Sequence, residues 1–477
     1  MLIFIDEILK RFQACFSRKA AYGWFVILVT GFMLRGDHLG VTSVIRDLAI
    51  RPDFYETMLH FFRASSWTLE GIRLTWYQTV RDHAPLHKEA GYTVLIGDGV
   101  KQAKEARFMP GIKKLYQESE NSSKLQYIFG HMFGGLGVLI GDRAKWFCLP
   151  LSIRLHDGLQ PAASWKESGI SAASHVIRMV EDGYEASRTF GRSLLLLDRY
   201  FLSVPALARL AQLNAKNQTR LEIITKAKSS CVAYELPPVR KPGRGRPAKK
   251  GASIKLMTLF TSCRHLFQET TLTLYGKEEQ VRFYCTDLLW GQQLYQKLRF
   301  ILVEYNGSKS ILVSTDTTIS PETIIRLYSY RFRIECCFRE LKQRIGCFCY
   351  HFWTQSMPRL NHYRKKGAPH PLASVMHADQ RLKILKTVQA IEGHVMLSLV
   401  AMGILQMISL KFNSQMQSEG IRYLRTPSHD IVSEATVMAY LRQHFFRLMA
   451  QAPFLSVTRF ISDRQLPSSD SFHSLTS

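Results

Sequence analysis

Acidic residues are scarce in this chain. Its 477 residues carry 38 Asp and Glu against 63 Lys and Arg, a formal charge of +25 and an isoelectric point near 9.7. Such an imbalance draws a protein to phosphate or anionic lipid, and nucleic acid is the direct electrostatic reading. A disulfide framework is also missing: nine cysteines, an odd number, fall at irregular positions between Cys15 and Cys349. A chain of this length needs no covalent staples, so a reducing cytoplasm is expected. Long hydrophobic runs are absent as well. Residues 20–34 and 395–410 hold about 15 and about 16 mostly apolar positions, fewer than the ~18–20 a bilayer requires, and both are expected to be buried core helices rather than membrane spans. The N-terminal MLIFIDEILKRF carries acid early and has no basic leader, so no secretory signal is expected.

What is present organises into segments. The length suggests two to four domains on ordinary domain sizes. Residues 1–90 read as a mostly helical N-terminal domain, basic and aromatic-rich and compatible with DNA-end binding, although no helix-turn-helix pattern appears. From Tyr92 the texture changes to α/β. YTVLIGDGV is a short buried strand ending in Asp98, LQYIFGHMFGGLGVLIG and KWFCLPLSIRL are two further strands, and after a helix RSLLLLDRYF is a core strand that ends in Asp198. Another helix and the strand LEIITKAK close residues 91–228, the first part of a mixed-sheet core. Residues 229–319 form a β-rich insertion that opens on the basic VRKPGRGRPAKKG and continues as two hairpins, the second turning at Asn306-Gly307. Residues 320–412 complete the core with helices, and residues 413–477 are a helical C-terminal region fraying into a Ser-rich tail.

The densest chemistry lies in YSYRFRIECCFRELK, residues 328–342. Ser320 is a good helix N-cap, Pro321 suits the first helical position, and Gly346 is a natural stop. At about 100° per residue, Tyr328, Arg331, Glu335 and Lys342 share an arc of roughly 60°. Taken alone, such a face is most simply a solvated charge pattern. Asp98 and Asp198 change that reading, because acids at the carboxyl ends of core strands sit where α/β sheets place their sites. Three neighbouring carboxylates repel unless a cation neutralises them, and hard oxygen ligands suit Mg²⁺ or Mn²⁺.

The spacing Tyr328, two residues, Arg331, three residues, Glu335, six residues, Lys342 resembles in full the signature of a large group of bacterial insertion-sequence transposases of the DDE type, with a ribonuclease H-like core. GDG around Asp98 and DRYF at Asp198 resemble that group's first two acidic motifs, DRYF departing from the commoner DRG form. The resemblance runs from about Tyr92 to Leu410 and includes the β-rich insertion. It implies that Asp98, Asp198 and Glu335 bind two Mg²⁺ ions, with Mn²⁺ able to substitute. It implies further that Tyr328, Arg331 and Lys342 hold transposon-end DNA, that double-stranded DNA with terminal inverted repeats and target DNA are the partners, and that a homodimer acts on paired ends. The activity implied is metal-dependent cleavage at the element's ends and strand transfer of the 3′-hydroxyls, in the bacterial cytoplasm at the nucleoid. In related members a tryptophan of the insertion stacks on a flipped base, and Trp290 is the candidate here against a plain core tryptophan.

Two further patterns are weaker. Arg244-Gly245-Arg246-Pro247 resembles the core of an AT-hook, since a narrow A·T minor groove concentrates potential that attracts arginine, with a basic loop gripping phosphate as the simpler reading. Cys336, Cys337, Cys347, Cys349 and His351 have no zinc-knuckle spacing and are expected to pack rather than ligate. Glu340 lies about 140° around the helix from Glu335, so a surface ion pair is expected of it. The competing readings of the whole chain are a catalytically silent, transposase-derived DNA-binding protein and a ribonuclease H-like nuclease without strand transfer.

Overall fold

A computed structural model describes residues 1–37, 40–117, 126–141, 145–238, 247–361, 367–417 and 431–466. The N-terminal segment is helical. Helix α1 (Lys19–Leu34) is buried almost all round, and α2 (Leu69–His83) is capped by Thr68, whose hydroxyl accepts from the Gly71 amide.

The sheet then begins. Strands β1 (Tyr92–Ala103), β2 (Tyr127–Gly141) and β3 (Trp146–Leu155) form an antiparallel meander, with Asp98 opposite Gly135 and Gly99 opposite Gly134. Helix α3 (His175–Phe190) leads to β4 (Ser193–Leu196), which joins the free edge of β1 in parallel, and β5 (Leu221–Lys226) joins β4, also in parallel. All four residues of β4 are buried, as expected of a parallel strand covered on both faces. The resulting order β3–β2–β1–β4–β5 is the mixed α/β sheet expected from the strand pattern, and ribonuclease H-like as the resemblance implies.

The insertion extends the same sheet. Strands β6 (Gln268–Leu274), β7 (Lys277–Trp290), β8 (Gln296–Tyr305) and β9 (Ser308–Ser314) pair as successive hairpins, and β9 docks antiparallel on β5. The β8–β9 turn has Asn306 at φ +46° and Gly307 at φ +71°, the left-handed pair that matches strand twist in a two-residue hairpin. Leu288, Leu298, Phe300, Leu302 and Val313 build a core distinct from the one under β1–β5.

The segment after β9 departs from the uniform helix expected of it. Helix α4 (Pro321–Ser329) has the Ser320 cap and first-position Pro321 as expected, but it gives way to a 3₁₀ turn (Tyr330–Phe332), then to α5 (Arg333–Glu340), and then to a wide π-turn (Leu341–Ile345) closed by Gly346 at φ +62°. A constant 100° step therefore fails across this stretch. The tightened turn lets Tyr330 pack on His87 and Trp146 at 5.8 and 5.5 Å while its neighbour Arg331 reaches β1.

Helix α6 (Ala378–Lys411) runs through the middle of the helical layer, in contact with β3, α1, α2 and α7 (Glu434–Gln451). It contains the apolar run of residues 395–410 and is apolar enough over 18 residues to cross a membrane, yet 94% of that window is buried inside the fold. A Cβ on its Gly403 would fall 2.3 Å from the Trp76 ring of α2, so glycine permits that close crossing. Buried Asp6 ties the two ends of the chain together by accepting from the Val457 amide at 2.8 Å.

Candidate active site

Strand pairing places the first two acids. β1 and β4 pair in register through Ile96 and Leu196, so Asp98, still within β1, and Asp198, two residues past the end of β4, leave the last paired position on neighbouring segments. Neither lies in a tight helical structure that would turn its carboxyl away; Asp198 is the extended residue before a short 3₁₀ turn, and its carbonyl accepts from the Thr225 hydroxyl at 2.8 Å.

The alternation of β1 decides which face each side chain takes. A Cβ on Gly135, opposite Asp98, would lie 2.6 Å from the Phe338 ring of α5, whereas one on Gly99 would meet His175 of α3 at 3.0 Å. Asp98 therefore shares its face with α5, and the glycine at position 135 lets that helix approach closely enough for Glu335 to come near. Arg331 closes the arrangement. Its guanidinium donates to Asp98 Oδ2 and, at 2.5 Å, to Glu335 Oε1, while its Nε is buried without a partner among the described residues.

The electrostatics follow from this crowding. Burial pushes the Asp98 carboxyl up to about 6, Arg331 and the Gly99 amide pull it down, and Asp198 and Glu335 push it up again. Burial likewise raises the Tyr328 phenol, which senses Arg331, Asp198 and Asp98 in turn. The five groups thus form one electrostatic unit. Lys342 reaches back to β1, its Nζ donating to the Lys101 carbonyl at 3.5 Å. Glu340 pairs instead with Arg339 at 3.0 Å and Arg344 at 3.6 Å, the surface role expected of it.

Among the described residues, no three His, Cys, Asp or Glu groups stand close enough to hold one ion together. The donor chemistry nevertheless suits a hard divalent cation: three carboxylates, no thiolate or imidazole among them, and mutual repulsion already visible at Asp98. In this form the Arg331 guanidinium serves as their shared counter-charge. Residues that local patterns did not single out also border the site. Tyr275, at the β6–β7 turn with φ +54°, sets its ring 6.0 Å from Phe332, and both are exposed. An aromatic in a Tyr-Gly turn was the only signal, and nothing local indicates that this hairpin tip reaches α4 and α5.

The remaining candidates lie elsewhere. Trp290 ends β7 inside the insertion, half-buried against its core, with Nε1 donating to Cys231 Sγ at 3.2 Å. Arg244 and Arg246 fall outside the described residues, as does the end of the Ser-rich tail. All nine cysteines are free thiols; Cys337 faces Cys148 in the core and Cys347 is buried beside Val395.

A second polar cluster occupies the opposite face of β1. His156 bonds to Asp182 at 2.8 Å and to His175 at 2.9 Å, and Arg154 donates to the other Asp182 oxygen at 2.9 Å. The positive neighbours hold Asp182 well below the usual carboxylate range despite its burial. Because an ionised carboxylate only accepts, His156 donates to Asp182 through Nε2.

A family model described as DDE superfamily endonuclease matches residues 11–270, just over half of the chain, and includes Asp98 and Asp198 but ends before Glu335. No curated protein and no solved structure matches the chain.

Proposed function

Since the chain belongs to the family of DDE superfamily endonucleases, we propose that it is the transposase of a bacterial insertion sequence, cutting DNA at the element's ends and transferring the freed 3′-hydroxyls into target DNA. One observation carries the reading: Arg331 bonds both Asp98 and Glu335, so acids from distant parts of the chain share one face of β1 next to Asp198.

In this reading Asp98, Asp198 and Glu335 hold two Mg²⁺ ions, for which Mn²⁺ substitutes. Bound there, such ions supply an activated water and charge for the leaving oxygen of a phosphodiester. Asp98 must give up its proton to serve, and at about 6 it is mostly ionised at neutral pH. Arg331 and Lys342 offer positive charge to backbone phosphate on either side of Glu335. Tyr328, held by burial as a neutral phenol, donates to a phosphate or packs against a displaced base. Trp290 is retained as the insertion's base-stacking candidate, and Arg244 and Arg246 as groove or phosphate contacts. The enzyme acts as a homodimer on paired ends, at the nucleoid and without a membrane.

The test is a cleavage assay with purified protein, Mg²⁺ and duplexes carrying the element's terminal repeats. Nicked and joined products are expected from the wild type, and neither from Glu335→Gln. Full cleavage by that variant would overturn the assignment, and nicks without joined products would leave a nuclease only.

A further inference from the structure

A cleft of about 610 Å³ opens between the N-terminal helical segment and residues 349–356, which follow the Glu335 helix. Its size is that of a small-molecule or single-nucleotide site. Trp353 and Tyr55 line it with 52% and 39% of their surfaces exposed, Arg63 and Lys383 contribute positive charge, and no carboxylate is among its lining residues. Arg63 is held in place by donating to the Trp353 carbonyl at 3.0 Å and lying over the Phe352 ring.

One buried residue that lines the cleft carries an unused polar atom. His394 is 1% exposed and lines the cleft. Its Nδ1 stands 3.1 Å from the Cys347 carbonyl, which can only accept, so Nδ1 bears the hydrogen and Nε2 presents a lone pair. That Nε2 is buried with no hydrogen-bond partner among the described residues, an arrangement that ordinarily costs stability unless a ligand completes it. Aromatic rings of Phe32, Phe62 and Tyr350 surround it at 5.0 to 6.0 Å.

Exposed aromatic side chains, an acceptor on a buried lining residue and cations with no carboxylate among the described lining residues match a planar heterocycle that bears an N–H donor and a phosphate. We propose that this cleft takes one unpaired nucleotide of the DNA substrate, its base against Trp353 and Tyr55, a base N–H donating to His394 Nε2, and its phosphate on Arg63 and Lys383. The inference rests on the reading that the chain works on DNA, but it places this contact outside the insertion and away from Trp290. The cleft is tied to the catalytic strand: Lys104, just past the end of β1, donates to the Phe348 and Tyr350 carbonyls at 2.6 and 2.8 Å. From Asp98 to Lys104 an extended strand covers about 20 Å, a distance of about six base steps along DNA.

The experiment uses the full chain in EDTA, so that binding is read without cleavage. Fluorescein-labelled duplexes, blunt or with a five-nucleotide single-stranded overhang, are titrated by anisotropy, and 2-aminopurine in the overhang reports stacking. Wild-type protein is expected to bind the overhang duplex more tightly and to quench 2-aminopurine. Trp353→Ala, at an exposed position that does not threaten folding, is expected to lower overhang affinity about tenfold, as loss of one stacked base does, to abolish quenching, and to leave blunt-duplex binding within about twofold. Lys383→Gln should weaken overhang binding more than blunt-duplex binding. Unchanged overhang binding by Trp353→Ala overturns the proposal, as does equal weakening of both duplexes, which would mark a mere phosphate surface or a cleft that serves a protein partner. Wild-type protein that binds neither duplex would instead break the DNA reading itself.

Discussion

The two faces of β1 carry clusters of similar composition and opposite character. In front, Asp98, Arg331 and Glu335 share charge at a surface where 56% of the Glu335 side chain is exposed. Behind, Asp182, His156, His175 and Arg154 lie against Gly99 and Gly134, with 7% of the Asp182 side chain exposed and both of its oxygens occupied. Both sets contain acid and base within hydrogen-bonding reach. The front set keeps an exposed acid, Glu335, and a buried Arg331 Nε without a partner among the described residues, whereas neither Asp182 oxygen is left open. Completed, buried polar networks specify packing, whereas incomplete ones at a surface await a ligand.

That contrast can be broken by substitution. The largest effect expected is from Glu335→Gln, which should lower DNA cleavage about a thousandfold or more, given the several kcal/mol that metal-ion catalysis supplies, with a thermal midpoint near that of the wild type; an active variant would erase the distinction between the faces. Asp182→Asn should do the reverse. Removing one partner of a buried charge cluster costs about 3–5 kcal/mol, measurable by urea denaturation, and a stability within 1 kcal/mol of wild type would show that the rear cluster is not structural.

A smaller effect separates adjacent glycines. A Cβ on Gly134 would fall 2.0 Å from His156, and one on Gly135 would fall 2.6 Å from Phe338. Both alanine variants should cost about 1–3 kcal/mol by overpacking, but Gly135→Ala should also depress cleavage in the folded fraction, because it displaces the helix that carries Glu335. Equal activity per folded molecule in the two variants would deny that link.

The smallest effect concerns pH, where the two faces have opposite signs. Asp182 is held below its unfolded value, so its contribution is fully present above about pH 4 and is lost only as the pH falls toward its lower folded value. Asp98 is raised to about 6; the folded state holds its proton more tightly, and stability is therefore lost between about pH 4 and 6 as the pH rises. Asp98→Asn should relieve that cost, adding about 1–3 kcal/mol at pH 7.5 with the gain vanishing below about pH 4. Wild-type cleavage should decline as the pH drops through about 6. A destabilised Asp98→Asn at neutral pH would show that the ion pair with Arg331 outweighs burial.

Much of this was readable along the chain because it depends on local periodicity. Apolar runs marked β1 and β4 and so drew attention to Asp98 and Asp198, but β1 was expected to end at Asp98 and instead runs on to Ala103, because pairing with β2 continues past the apolar run. The Ser320 cap, Pro321 and Gly346 bracketed the helical stretch between them. The step inside that stretch was not readable: the 3₁₀ turn at Tyr330 and the π-turn at Leu341 answer to packing by His87, Trp146 and the core beneath. Nor did the insertion announce that β9 would continue the sheet from β5, since a β-strand's edge partner leaves no period in sequence. Trp290 was the insertion's base-stacking candidate against a plain core tryptophan, and its half-buried indole bonds Cys231, while the exposed Trp353 sat in a stretch without any motif.

Sequence by itself determined the charge, the mixed α/β class, the three acids and the spacing around Glu335, because composition and short-range periodicity express them directly. The tertiary structure alone decided that Asp98 faces α5 while Gly99 faces α3, that Arg331 bridges Asp98 to Glu335, and that His394, which lines a cleft, has an Nε2 without a partner among the described residues. Each of these depends on which distant segments pack together, and the physical reason is the same throughout: side-chain direction repeats every two residues in a strand, but register and neighbours are set by long-range burial.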